Sequence, residues 1–285
     1  MKIEASTFFL QWATGGMLFL WVTTRERVVG LGYGWTTRIV YIAIAASSLI
    51  IGLNLNSLWV REISTALFLV AALISMAISI KRKNAGVVGQ KIAAQHRSRR
   101  VAEMLKRDQS VSGSEGVLTS KEFPPFLDLL APACGVIGLV AGSVEAGGST
   151  WLAICRILTG SAFLGAVSNS MLLGHWYLVQ PGLSRKPIHT LINWTGLLWL
   201  PELIFLLIPT GMISVLNGTI DDNYNGLLGW FWVACAIGTI VLVFVTKLAL
   251  REKQYSAVMA ATGLMYLAIL TSFGMDLVAR ILLDT

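Results

Sequence analysis

Apolar runs of roughly 20 residues, almost free of charge, recur along this chain, and that is the length an α-helix needs to cross a bilayer. They fall at about 7–24, 38–58, 63–80, 125–144, 151–179, 189–215, 226–249 and 255–281. Composition agrees: 55% of the 285 residues are hydrophobic and 13% charged, with a mean hydropathy of +0.70. A soluble domain carries about a quarter charged residues. The expected fold class is therefore all-α, a polytopic integral membrane protein with about eight transmembrane helices, and an ordinary water-soluble enzyme is excluded. The organisation divides into helices 1–3 over 1–80, a basic segment with a flexible linker over 81–124, and helices 4–8 over 125–285.

Lysine and arginine set the direction, because cytoplasmic loops collect them. Alternate loops hold eighteen of the 22 basic residues on one side, ten of them within 81–125, against Lys2, Arg61 and Arg280 on the other. Arg156 falls inside a span. The 81–125 segment is thus expected in the cytoplasm and both termini on the outer side. The net charge of +7 follows from this topology and gives no reason to invoke nucleic acid. Trp12, Trp59, Trp151, Trp230 and Trp232 fall near outer ends and Trp35, Trp176 and Trp194 near inner ends, as expected of rings anchored in the headgroup layer. No small-x-small cleavage signal follows the first apolar run, which is expected to be retained. The expected setting is a bacterial inner (plasma) membrane.

Between Lys81 and Arg107 a weak apolar stripe of Ile92, Val101, Met104 and Leu105 is surrounded by basic residues, the pattern of a helix lying on anionic lipid. The same surface would suit another membrane or cytoplasmic protein subunit. Asp108 to Ser120 reads as a flexible linker. The glycines of Gly30-Leu31-Gly32-Tyr33-Gly34-Trp35 lack the strand-loop-helix setting of a phosphate loop, and a tight interfacial turn is expected there. Cys134, Cys155 and Cys235 lie in apolar runs without metal or disulfide spacing.

Ionisable groups inside a bilayer cost about 2.5–3.5 kcal/mol on insertion scales, so each is a functional candidate. Glu202, placed near the midplane and preceded by Pro201, which frees a backbone carbonyl, is the first candidate for proton transfer. Asn169 needs partners in a dry setting, and Glu202 from the next span is the expected one. His175, with Trp176 and Tyr177, ends a stripe of Ser161, Gly165, Ser168 and Leu172. That stripe permits either close helix packing or a flat cofactor, haem b or a quinone, with the imidazole as ligand. Arg156 is expected to reach the outer surface or pair with Glu145 or Asp276, and Asp128 to meet Lys121 or Arg185.

Three functions fit these residues. The first is the membrane subunit of a redox or respiratory assembly, contacting haem or quinone near His175, with Glu202 handling protons. The second is a proton-coupled transporter or channel centred on Glu202, and the third a structural or assembly subunit. A stand-alone hydrolase is not expected, since no nucleophile has a base at a recognisable spacing. A four-plus-four parallel duplication is topologically permitted, and the likeness of Thr14-Gly15 to Thr159-Gly160 is slight support for it.

Overall fold

Apolar side chains without water to satisfy the backbone leave the α-helix as the economical solution, and the chain takes it nearly throughout. The computed structural model describes residues 4–87, 90–92, 95, 122–180 and 182–283. The helices are α1 (Ala5–Thr24), α2 (Leu31–Asn54), α3 (Trp59–Lys81), α4 (Leu130–Glu145, entered through a 3-10 turn at Pro125–Leu129), α5 (Thr150–Val179), α6 (Lys186–Leu207), the short α7 (Gly211–Leu216), α8 (Leu227–Ala249) and α9 (Tyr255–Leu282). Among the described residues seven helices are long and apolar enough to cross a membrane, α2 to α6 with α8 and α9, which is the make-up of a polytopic membrane protein in contact with lipid.

The helices form two neighbouring groups. α1 packs on α2 and α4, and α3 fills the other side between α2 and α4. In the second group α5 packs on α6 and α9, with α8 between those two. The groups meet mainly where α1 lies along α5, both running in the same direction. Small residues make that contact possible: a Cβ added to Gly15 would stand 1.7 Å from the Ser161 carbonyl oxygen, and one added to Gly165 would stand 2.2 Å from Gly15 backbone atoms. Across the seam Trp12 donates to Ser168 Oγ at 2.9 Å and Ser161 Oγ to the Gln11 carbonyl at 2.9 Å. The small stripe on α5 is therefore a helix contact. One end of the molecule gathers the basic connections around Arg25, Arg82, Lys83, Arg185 and Arg251, and the opposite end carries the connections 55–58, 146–149 and 217–226.

Several sequence expectations change in the structure. The first apolar run does form α1, but α1 is not among the seven. Thirteen of its 20 residues are buried by other helices, and its polar Thr7, Gln11, Thr14 and Thr23 face protein, so it has no need of high hydropathy. The Gly30–Trp35 stretch is not a turn. It begins α2, and the helix propensity lost at its glycines, about 1 kcal/mol each, is offset by tertiary contacts of Tyr33, which is 1% exposed, and of Trp35, which donates to Ser79 Oγ at 2.9 Å. The 189–215 run is broken at Ile208, which is extended ahead of Pro209, so α6 stops and α7 starts anew. Trp59, Trp151 and Trp230 are exposed as membrane anchors should be, whereas Trp232 is buried and Trp12 turns inward to Ser168. The stripe residues Val101, Met104 and Leu105 lie outside the described residues, and Ile92 is exposed.

Candidate functional site

Glu202 stands 16 residues after Lys186 and five before the end of α6, roughly 24 Å and 8 Å along the axis. It lies nearer the end opposite the basic loops than the midplane placement expected from a span running to 215, because α6 stops at Leu207. The same level holds Gln11 and Arg156, six residues into α1 and α5, and Asp276, six residues before the end of α9, each roughly 9 Å along its helix. Four helices thus bring one layer of polar side chains together. Sequence reading singled out Glu202 and Arg156 but not Gln11 or Arg280. Gln11 is an isolated polar position in an apolar run, whereas Arg280 follows Asp276 by one helical turn, an i,i+4 acid–base spacing that could have marked the pair.

Within this layer Arg280 holds Asp276 from one turn away, with Nε to Oδ1 at 2.8 Å and Nη2 to Oδ1 at 2.7 Å, and Gln11 Nε2 donates to Asp276 Oδ2 at 3.3 Å. Gly160 lets them close up: a Cβ there would stand 2.6 Å from Arg280 Nη2, 2.6 Å from Gln11 Nε2 and 2.9 Å from Asp276 Oδ1. Arg156 donates through Nε to the Phe205 carbonyl at 2.7 Å and through Nη2 to that of Ile208, so its guanidinium caps the end of α6. Glu202 is fully buried facing Asp276, Arg280 and Thr159. Four atoms of the layer find no hydrogen-bond partner: both carboxyl oxygens of Glu202, Gln11 Oε1 and Arg280 Nη1.

Asn169 belongs to a different network, and Glu202 is not its partner. Its amide nitrogen donates to the Gly16 carbonyl at 2.9 Å, the Gly165 carbonyl at 2.9 Å and Tyr41 Oη at 3.0 Å, while its oxygen accepts from Tyr33 Oη at 3.1 Å. All its polar atoms are engaged, which suits a clasp between α1, α2 and α5.

The three side chains proposed to bind a cofactor do not converge. His175 is exposed on α5, Trp176 donates to Gln180 Oε1 at 3.1 Å and stacks edge-on against Tyr33 at 6.1 Å, and Tyr177 is buried with its hydroxyl donating to the Ser184 carbonyl. Consecutive helical residues point about 100° apart, so the three could share a pocket only if a neighbouring helix folded over all of them.

Other buried charges are paired. Asp128 meets Arg38 and not Arg185, while Lys121 lies outside the described residues: Nε donates to Oδ1 at 2.8 Å, Nη2 to Oδ2 at 2.7 Å, and Ser75 Oγ to Oδ1 at 2.6 Å. Arg185 donates to the backbone carbonyls of Lys253 and Gln254 at 2.7 and 2.8 Å. Near the opposite end Arg61 holds Glu62 at 2.6 Å and also bonds Glu4 and Thr7. Among the described residues no group of three or more His, Cys, Asp and Glu side chains is placed to hold a metal ion. No protein-family model, no curated protein and no solved structure matches the chain.

Proposed function

We propose that this chain is a membrane carrier of eight spans, with both termini outside and the 81–124 segment in the cytoplasm, in which Glu202 takes up and releases a proton. The observation that supports the carrier reading is the unpartnered Glu202 carboxyl, buried among Gln11, Asp276 and Arg280. Native folds pair nearly all their buried polar groups, and exceptions concentrate where a group must change state. Arg280 stands beside Glu202 as an opposite charge for the ionised form. By contrast Asp128, held by Arg38 at the basic end, and Asn169 are hydrogen-bonded to neighbouring helices.

Orientation rests on the basic connections collected at one end. α1 counts as the eighth span in this reading, since 20 helical residues reach roughly 30 Å and its polar face is covered by protein. The redox-subunit reading rests on His175, Trp176 and Tyr177 acting as one site, and their three directions give it less support.

The test is proton entry into proteoliposomes carrying a trapped pH dye, after an external pH drop, with the potential clamped and chloride, nitrate and lactate on both sides. Wild-type protein should acidify the lumen faster than protein-free vesicles. Glu202→Gln should lose at least about tenfold of that rate, the scale of a removed proton-transfer group, and His175→Ala should keep it. Equal rates for wild type and Glu202→Gln would overturn the reading. A dithionite-reduced haem band that disappears in His175→Ala would install the redox reading in its place.

A further inference from the structure

One face of α2 is left bare over its first turns. Gly30, Gly34 and Arg38 follow one another there at four-residue spacing, and a cleft runs along them from the start of the helix to the Arg38 guanidinium. The α1–α2 connection, residues 86–87 and the approach to α4 form its other walls, enclosing about 410 Å3 counted out to the solvent at the mouth. Arg38 is almost wholly buried and gives Nε and Nη2 to Asp128, whereas its Nη1 has no hydrogen-bond partner among the described residues. Arg38 lines the cleft, and Nη1 is its nitrogen nearest Gly34, where an added Cβ would stand 2.9 Å away. We propose that this cleft binds a phosphate group, carried by a phospholipid headgroup or by a soluble phosphate ester, with Arg38 Nη1, the first amides of α2 and Arg27 as donors. The site lies at the basic end, away from the Glu202 layer, and does not depend on the carrier reading.

The donors of the cleft call for an acceptor with several oxygens. A guanidinium that spends two nitrogens on Asp128 keeps the two N–H groups of the third for another ligand, and charged N–H donors suit phosphate oxygens. The Phe123 ring stands 4.7 Å from the Arg38 carbon, covers one side of the guanidinium and leaves the edge at Gly34 as its approach. α2 begins at Gly30 without a side-chain cap, so its first amides and the positive end of its dipole fall at the head of the same cleft. Among the described residues Glu122 is the one carboxylate lining it, and Arg27 holds that carboxylate at 3.2 Å. Arg27 is half-exposed and such a pair is weak, so its guanidinium is free to turn to an entering phosphate. Arg82 stays beside Glu122, donating through Nη1 to its carbonyl at 2.9 Å. The cleft opens where α1 ends and α2 begins, at the level at which the Arg25 guanidinium lies 5.2 Å over the Trp21 ring, a pairing suited to the headgroup layer. A bilayer presents phosphate at that depth.

The experiment titrates the full chain, delipidated in a neutral detergent, with phosphatidylglycerol, with diacylglycerol, which lacks the phosphate, or with inorganic phosphate, and follows the tightest-bound copy by native mass spectrometry. Phosphatidylglycerol should be held at least about tenfold more tightly than diacylglycerol, the scale of one charge-assisted hydrogen bond. Retention that excess inorganic phosphate leaves unchanged assigns the phosphate to a lipid, and displacement assigns it to a soluble ester; both outcomes keep the site. Arg27→Ala, which removes only an exposed pair from the fold, should weaken binding by about tenfold. Gly34→Ala sets a methyl 2.9 Å from Arg38 Nη1 and should weaken it by about as much, and Arg27→Ala carries the test if that variant fails to fold. Arg251→Gln removes an exposed charge at the same end but outside the cleft and should bind as wild type does. Wild-type protein that holds neither phosphatidylglycerol nor inorganic phosphate would overturn the proposal. So would wild-type affinity in Arg27→Ala and Gly34→Ala alike, or a loss in Arg251→Gln equal to that in Arg27→Ala, which would reduce the binding to surface charge.

Discussion

Some charges buried in this bundle are held by near neighbours, Asp276 by Arg280 and Glu62 by Arg61, and others by partners far away in the chain, and those partners decide what a removal does. Arg38 is 2% exposed and lies 90 residues from the Asp128 it grips in a two-pronged pair. Arg38→Ala leaves Asp128 buried and uncompensated, and such losses cost about 3–5 kcal/mol. The expected result is a marked drop in thermal midpoint in detergent. Arg27→Ala breaks the solvent-exposed pair with Glu122 and should cost no more than about 1 kcal/mol. Equal effects of the two would show that Arg38 is not structurally buried. The sequence marked Arg38 as one cation in a loop tally and Asp128 as an anchoring acid, both on the basic side. It did not pair them, because no spacing rule reaches across three helices. Glu202 was legible as a lone acid in an apolar run, and its layer was not, for the same reason.

At the scale of helices, the periodic signals were strong where lipid does the selecting and weak where protein does. α2, α3, α8 and α9 announce themselves by hydropathy. α1, wrapped by its neighbours, carries glutamine and threonines that lower its hydropathy, and the break after Leu207 turns on Pro209 rather than on polarity. The stripe Ser161, Gly165 and Ser168 was visible, but only the partner helix tells whether it holds a cofactor or a neighbour. It holds α1, and the contact admits no side chain. Gly15→Ala would place its methyl 1.7 Å from the Ser161 oxygen, so the helices must separate along the seam. A loss of at least about 2 kcal/mol is expected, at the severe end of overpacking, read as a lower unfolding midpoint. Gly263→Ala is the control: nothing stands within 4 Å of its added Cβ, and the gain in helix propensity should leave the protein as stable or slightly more so. If both alanines were tolerated, the α1–α5 seam would have to be looser than the backbone contact at Gly15 and Gly165 implies.

For the whole molecule, the two groups of helices and their common direction turn on whether α1 crosses the bilayer. In each group the first helix starts at the end opposite the basic loops, α1 from Ala5 and α5 from Thr150, and they meet side by side. Such a parallel arrangement was permitted by the even span count, but the residues offered only Thr14-Gly15 against Thr159-Gly160, and the contact in fact sets Gly15 against Gly165. Single cysteines at Ala5 and Arg25, exposed positions at the two ends of α1, decide the matter when Cys134, Cys155 and Cys235 are replaced by alanine. A membrane-impermeant maleimide applied to intact cells should label Ala5→Cys and spare Arg25→Cys until the membrane is opened. The reasoning is electrostatic: basic connections resist translocation, and Arg25 sits among them. Labelling of both positions from one side would mean that α1 does not cross, leaving seven spans and placing the termini on opposite sides. The Glu202 layer would survive either result as a packed cluster. Its depth would survive as well, because Arg156, Glu202 and Asp276 lie roughly 8–9 Å from the ends of α5, α6 and α9 that face away from the basic loops, and only Gln11 would reach it from a helix that does not span.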